Sequence, residues 1–441
     1  MSRNRRLPAS VNLEIESYDY QGLGIGYFQG RECRIKAAIA SENIDARIVS
    51  KRKGVFYGIA ESIKRSSKQR TISDCENYPR CGGCTLLHLN YKEQLAFKEN
   101  LLLNALNAQN VRYKKLAEPV SIKEVGYRRR ARLGVRWTDL KQQCFIGFRE
   151  SFGSYVMDMQ RCPILAGNFG QKIGLLRRLV SMLDCRSTLP QIEVASSDEN
   201  TALIFRHLEP LSLRDQTGLI AFGKTHDLWI YTQNKGYESV CRIYPEPELV
   251  IDFLTYSNPE FNMEFDFAPF DFVQVNQDVN LALVSDVVSE LNIRSDDRII
   301  DLFCGIGNIT LPLASRCSSV GGIEHSSSTV DRARHNANKN DLQVDFFEGN
   351  LYESSFSGFL PKELQHPNKL VFDPPRLGIG QKLVEDLRGV ERMVYVSCNP
   401  ESFSKDAANI IKKGFALERV GIYDMFPQTA HVELMGVFQS L

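Results

Sequence analysis

From about residue 270 to its end the chain alternates short apolar runs with helical segments, and this constrains the fold more than anything else in its 441 residues. The runs at 299–303, 320–324, 370–373 and 393–397 are apolar almost without interruption. A strand with one wet face alternates apolar and polar residues, whereas an unbroken apolar run is a strand covered on both faces. Helical stretches follow the first two runs, at 309–314 and up to Asn338, and another lies between the last two. Strands and helices in that order wind into a mainly parallel sheet with helices on both sides. Two further β runs, 415–424 and 432–439, close the chain as a hairpin.

The first part of the chain follows another grammar. Residues 11–66 read as short strands separated by Gly22, Gly24, Gly26 and Gly30. That pattern predicts a small OB-type barrel over 1–66. Tyr18, Tyr20, Tyr27, Phe28, Phe56 and Tyr57 are interleaved with Lys51, Arg52 and Lys53. Stacking surfaces beside cations suit single-stranded nucleic acid. Residues 71–92 are loop-like and cysteine-rich. The stretch 93–111 is predicted helical, with Leu95, Leu102 and Leu106 on one stripe. From 123 to about 265 short strands dominate, with one helical piece near 167–184. The expected organisation is a barrel over 1–66, a central α+β domain over 67–92 and 123–269, a helical segment over 93–122 packing on the catalytic domain, and that domain over 270–441.

Composition excludes several classes. Hydrophobic residues make up 43% and charged residues 24%, the proportions of a globular chain. No stretch approaches the ~18 apolar residues of a membrane span. The early arginines are not followed by the apolar core of a signal peptide, so a cytoplasmic location is expected. Eleven cysteines, an odd number, argue against a disulfide framework and for reduced thiols that bind metal or do chemistry. The net charge of +1 hides a segregation. Residues 1–70 hold 14 Lys and Arg against 7 Asp and Glu, and 121–150 hold 8 against 3. The densest cluster is Tyr127-Arg128-Arg129-Arg130-Ala131-Arg132. Two basic segments in a near-neutral chain are the footprint expected for a polyanion.

The run Asp301-Leu302-Phe303-Cys304-Gly305-Ile306-Gly307-Asn308 ends a strand and starts a helix. Its glycines permit a tight turn and close approach of a ligand. Glu324 ends the next strand, where a carboxylate can accept two hydrogen bonds from a ribose diol. A dinucleotide site asks for a third glycine, but Thr310 stands there. An aspartate at the head of the loop and no phosphate-binding lysine favour S-adenosyl-L-methionine. Cys304 is expected to line that pocket.

Cys398, in Ser397-Cys398-Asn399-Pro400, lies just past the carboxyl end of an apolar strand. Asp373-Pro374-Pro375-Arg376 ends another strand at the same edge, and His431-Val432-Glu433 stands in the terminal hairpin. A thiol, two carboxylates and a methyl donor on one rim suit one reaction well. C5 of uracil is too poor a nucleophile to attack a sulfonium methyl. Addition of a thiolate at C6 makes it an enolate carbon. A base must then remove the C5 proton before the thiolate leaves. Cys398 is the candidate nucleophile and Glu433 the candidate base.

With these motifs the chain resembles the RNA uracil-C5 methyltransferases, and within them the enzymes of 23S rRNA. The likeness runs nearly end to end. It includes the N-terminal barrel, which resembles a TRAM domain, Phe272-Val273-Gln274-Val275-Asn276, and the Asp301, Asp373, Cys398 and Glu433 motifs. It implies a Rossmann-like class I methyltransferase domain, whose sheet typically closes with a β-hairpin. It also implies cofactor contacts at Gln274, Phe303, Asn308, Glu324, Asn350 and Asp373, although Asp373 could instead touch the uracil.

Cys75, Cys81 and Cys84 form C-x5-C-x2-C, and Cys162 follows in Arg161-Cys162-Pro163. Spacing alone leaves zinc and an iron–sulfur cluster open. The resemblance implies a [4Fe–4S] cluster, with all four cysteines used as ligands and no open iron. RNA cytosine-C5 enzymes carry a second cysteine where this chain has Asp373-Pro374-Pro375, so uracil is the better base. The expected substrate is a flipped-out uridine of 23S rRNA, single-stranded or in a loop, and the expected state is a monomer. Rival readings are the same chemistry on the T-loop uridine of tRNA, or an RNA-binding protein with an inactive methyltransferase fold.

Overall fold

The computed structural model describes residues 7–246 and 253–441, so Arg3, Arg5 and Arg6 of the basic N-terminal segment lie outside it. The C-terminal part is built on seven strands: β1 (Ile299–Leu302), β2 (Val320–Glu324), β3 (Asp345–Glu348), β4 (Lys369–Phe372), β5 (Arg392–Ser397), β6 (Phe415–Tyr423) and β7 (Glu433–Ser440). Their order in the sheet is β3-β2-β1-β4-β5-β7-β6. All run parallel except β7, which is inserted antiparallel between β5 and β6. An eighth strand, Tyr113–Leu116, adds parallel to the outer edge of β6. Every residue of β1 and β4 is buried, as the unbroken apolar runs required.

Topology places the chemistry. β1, β2, β4 and β5 all end at one edge, and ligands of open parallel sheets gather at the carboxyl ends of the strands. The reversed strand β7 begins at that same edge, with Leu434 paired to Ser397. Residues far apart in sequence therefore meet there: Asp301, Glu324, Asp373, Cys398 and Glu433.

Helices cover both faces. Tyr91–Ala108 and Pro400–Lys412 pack together on one side, where Leu102, Leu106, Phe403 and Ile410 join the sheet's core. The first is capped by Asn90, whose side chain accepts from the Glu93 N–H at 3.1 Å. The second starts at Asn399-Pro400, with Asn399 as cap and proline in the first turn, the position that tolerates its missing N–H. On the opposite face lie Gln277–Glu290 and Ser327–Lys339.

The central part is a six-stranded sheet in which Arg130–Thr138 pairs with Gln143–Gly147 and Gln191–Ser196. The helical piece expected near 167–184 is Ile173–Met182 flanked by two 3-10 turns. A second helix, Leu213–His226, interrupts what the sequence suggested was strand-dominated. A reciprocal Ser212–Asp215 capping box starts it, and Leu219 and Phe222 anchor it in the core. The N-terminal strands form a curled six-stranded half-barrel in which the Glu16 N–H bonds the Ile25 carbonyl at 2.8 Å. It docks on the rest of the protein through Lys36, through the buried Glu42–Arg70 ion pair, and through Tyr18, whose ring meets Phe97 edge-on.

Candidate active site

The turn after β1 bends sharply. Phe303, Gly305 and Gly307 have φ of +67°, +54° and +91°. At Gly307 a Cβ would meet the side chains of Leu311 at 3.3 Å and Phe346 at 3.5 Å, so the left-handed backbone, more than crowding, calls for glycine. Phe303 bears the same φ with a full side chain, and its ring lies 5.7 Å from that of Tyr352. Thr310, the residue in place of a third glycine, donates its hydroxyl to Asp301 Oδ2 at 2.6 Å. Asp301 Oδ1 is buried without a partner. Burial, with Asp373 and Glu324 adding their charge, pushes the Asp301 carboxyl up to about 7.

Glu324 is fixed by three backbone donors: Gly305 N–H at 3.3 Å to Oε2, and His325 and Ser326 at 2.7 and 3.1 Å to Oε1. Asn350, past β3, accepts the Tyr352 N–H at 3.1 Å. Gln274 is half-buried at the head of the segment leading into Gln277–Glu290. Asn308 is more committed than its sequence position suggested. Its amide pairs reciprocally with Asn280 at 2.9 and 3.0 Å and accepts from Tyr256 Oη at 2.9 Å.

On the neighbouring strands the nucleophile candidate and the acids converge. Cys398 immediately precedes the cap of Pro400–Lys412. A helix N-terminus favours a thiolate, but burial and the charges of Glu433 and Asp373 outweigh it, and the thiol stands at about 11. Glu433 is 3% exposed, and burial with the Asp373 charge holds it well above the usual carboxylate range. Burial brings Asp373 to about 7. Arg376 acts on both Cys398 and Glu433 and opposes both shifts. Its guanidinium donates to His431 Nδ1 at 3.0 Å. Partial desolvation and that guanidinium keep His431 below its ordinary value, hence neutral.

The loop leading into Glu433 is tied from a distance. Gln94 and Gln428 exchange hydrogen bonds at 2.9 and 3.1 Å, and the N–H groups of Thr85 and Leu86 bond the Gln428 carbonyl. Asp406 braces the Arg376 loop from behind, accepting from Ile379 N–H at 2.9 Å and Tyr395 Oη at 2.7 Å. No local sequence signal marks these positions.

Cys398 opens into a cleft of about 1870 Å³ bounded by the half-barrel, the cysteine loop, helix Tyr91–Ala108 and the central sheet. Arg128, Arg132, Arg149, Arg376 and Lys405 line it, with Tyr18, Tyr20, Phe148 and Phe152. The arginine cluster is thus divided. Arg129 turns away to pair with Asp198 at 2.5 Å, and Arg130 is largely desolvated.

Cys81, Cys84 and Cys162 are buried in one core cluster, and Cys75 is half-buried. Burial, with Cys81 and Cys75 adding, pushes the Cys162 thiol up to about 12. The Gly83 N–H donates to Cys81 Sγ at 3.4 Å. Among the described residues, no three His, Cys, Asp or Glu side chains are gathered at metal-binding distance.

A sheet ordered 3-2-1-4-5-7-6 with an acid-lined rim defines a class I S-adenosylmethionine-dependent methyltransferase. A solved structure from Pyrococcus abyssi, a tRNA (uracil-54, C5)-methyltransferase in complex with S-adenosyl-L-homocysteine, shares the fold with a TM-score of 0.73 and 24% identity, over 97% of this chain and all of that one. The family model for tRNA (uracil-5-)-methyltransferase matches residues 239–348 and 361–440. Two curated proteins described as 23S rRNA (uracil(1939)-C(5))-methyltransferase RlmD match the full length. One, from Hahella chejuensis, is 35% identical over 100% of both chains. The other, from Vesicomyosocius okutanii, is 37% identical over 99% of both. This chain belongs to the RNA uracil-C5 methyltransferase family.

Proposed function

We propose that the protein methylates C5 of a uridine in 23S rRNA, as its full-length relatives are described to do. One observation carries the assignment of the chemistry: Cys398, just past β5 and lining an arginine-rich cleft, lies beside Glu433 at the start of the paired strand β7.

The residues present fit S-adenosyl-L-methionine. Asp301 keeps an unpartnered buried oxygen, and Glu324 is held ready at the end of β2, where a ribose lies in this fold. Two carboxyls raised to about 7 on one rim are relieved by a sulfonium cation. We assign Gln274, Phe303, Asn308, Glu324, Asn350 and Asp373 to that pocket, Asn308 by shaping its wall. The donor supplies an electrophilic methyl group.

Cys398 adds to C6 of the flipped base as its proton passes to water, since a thiol at about 11 is nearly all protonated at neutral pH, and the C4 oxygen carries the resulting enolate charge. C5 becomes nucleophilic and takes the methyl, the sulfonium S–CH3 bond breaking to leave a neutral thioether. Glu433 removes the C5 proton, and elimination of the Cys398 thiolate restores the ring. The high proton affinity of buried Glu433 suits a base that must accept a carbon-bound proton.

We assign Cys75, Cys81, Cys84 and Cys162 to a [4Fe–4S] cluster. An all-thiol donor set in apolar surroundings suits it, and four ligands leave no open iron. Its role would be to hold the loop that continues into Thr85 and Leu86. We read the half-barrel as a TRAM module gripping RNA beside the cleft, and the enzyme as a monomer with module limits at 66, 92, 122 and 269. Among the described residues no helix is long and apolar enough to cross a membrane.

Incubation with labelled donor and unmodified transcripts tests this. Label should enter 23S rRNA as 5-methyluridine and leave tRNA unmarked. Label confined to tRNA would overturn the substrate, and 5-methylcytidine would overturn the base.

A further inference from the structure

Lys36, at the end of the half-barrel strand Arg31–Lys36, is 2% exposed. Its ammonium donates to the Cys81 carbonyl at 2.5 Å and to Ser151 Oγ at 2.7 Å, and lies 5.4 Å from the centre of the Tyr78 ring. These partners are all neutral. Among the described residues no carboxylate comes within ion-pair distance of Lys36. The two buried carboxylates of its own module are both taken, Glu42 by Arg70 and Asp19 by Arg34. A buried charge without a counter-charge is strongly unfavourable, so a lysine in this place calls for an anion. The anionisable groups acting on Lys36 are the thiols of Cys81, Cys84 and Cys75.

We propose that Lys36 is the counter-charge of the cysteine site, so that loading the site and seating the half-barrel stabilise each other. This rests on the reading of the four cysteines as metal ligands. Four thiolates around a [4Fe–4S] core leave a net negative charge, and the ammonium offsets it from the side of the RNA-binding module. Without the cluster the buried ammonium meets only neutral acceptors and a ring face; with it, the same charge favours docking. A lysine therefore stands where a half-barrel packing face would otherwise place an apolar residue.

The test uses full-length protein purified without oxygen, as wild type and as Lys36→Gln, Lys36→Met and Lys36→Arg. Glutamine keeps a donor for the Cys81 carbonyl and Ser151 but removes the charge, so wild type against K36Q is the deciding pair. Two properties are read: the rate of metal release to a chelator, and the midpoint potential by EPR-monitored titration. Donor binding by calorimetry selects the variants that fold. K36Q and K36M should release metal at least tenfold faster. Their midpoint should move to more negative potential, because a nearby cation favours the reduced, more negative cluster. K36R should stay near wild type. K36Q matching wild type in both readouts would overturn the proposal and leave Lys36 a hydrogen-bonding residue. Stoichiometric zinc without sulfide would instead overturn the cluster, while the release rates would still decide the role of Lys36.

Discussion

Replacing Glu433 with Gln should separate the two halves of the reaction. The substitution keeps shape and removes the proton-accepting carboxylate at a site that is 3% exposed. Addition of Cys398 to C6 and methyl transfer to C5 do not consume a base at Glu433, but release does. A positioned base contributes roughly 10²–10⁴ in rate, so turnover should fall by that factor. The methylated adduct should accumulate, since the C6–S bond cannot break before the C5 proton leaves. The thiol makes a second reading possible. At about 11, it is ionised to about one part in 10³ at pH 8, against roughly one in four for an unperturbed cysteine. Alkylation of Cys398 in the free enzyme should therefore be slow and rise tenfold per pH unit. Where Glu433 is ionised, E433Q should speed it, because the carboxylate is the largest charge opposing the thiolate. The assay is a denaturing gel of enzyme, RNA fragment and labelled donor, run beside an alkylation time course. Normal turnover by E433Q would refute Glu433 as the base. Slow turnover without adduct would place its action earlier, in orienting the uracil.

Three further outcomes follow from the same geometry. Cys398→Ala should abolish both adduct and product while calorimetry still shows donor binding, because the thiol follows β5 and β4 lies between that strand and the strand of Asp301. Changing Arg128 and Arg132 to Gln should weaken RNA binding and reduce the slope of log K against log[salt] by about 0.7–0.9 for each phosphate no longer neutralised; an unchanged slope would mean that they touch no phosphate. Asp301 and Asp373, at about 7 in the fold and about 3.9 unfolded, bind protons more tightly when folded. Their stabilising contribution is complete below about pH 4 and lost as pH rises through 7, so the donor-free protein should melt higher at pH 5.5 than at pH 8, and Asp373→Asn should flatten that dependence.

The parts of this molecule that were legible in the sequence share one property: their signal is local. β1 and β4 are buried on both faces and so read as continuous apolar runs. The hairpin of β6 and β7 and the barrel strands were placed for similar reasons. Helix Leu213–His226 escaped because Gly218, Gly223 and three threonine or glutamine positions blur its apolar stripe. Tyr113–Leu116, with two lysines, is a strand only because the edge of β6 is there to pair with. The arginine cluster read as one patch, yet strand alternation sends Arg129 to Asp198 and Arg132 to the cleft. The positions of the candidate residues were easier to read than their supports: Asp301 stands near the end of a strand, Cys398 follows one and Glu433 begins one, whereas Gln94 and Gln428 are 334 residues apart and meet only in the fold. Lys36 is an ordinary lysine until its burial is known.

The most direct test of the account is nucleotide-resolution mapping of 5-methyluridine in rRNA and tRNA from a strain lacking this gene, complemented with wild type or with Cys398→Ala. One 5-methyluridine should vanish from 23S rRNA, return with the wild type and stay absent with C398A, while tRNA keeps its own. Loss of a tRNA methyl group with 23S rRNA unchanged, or restoration by C398A, would contradict it.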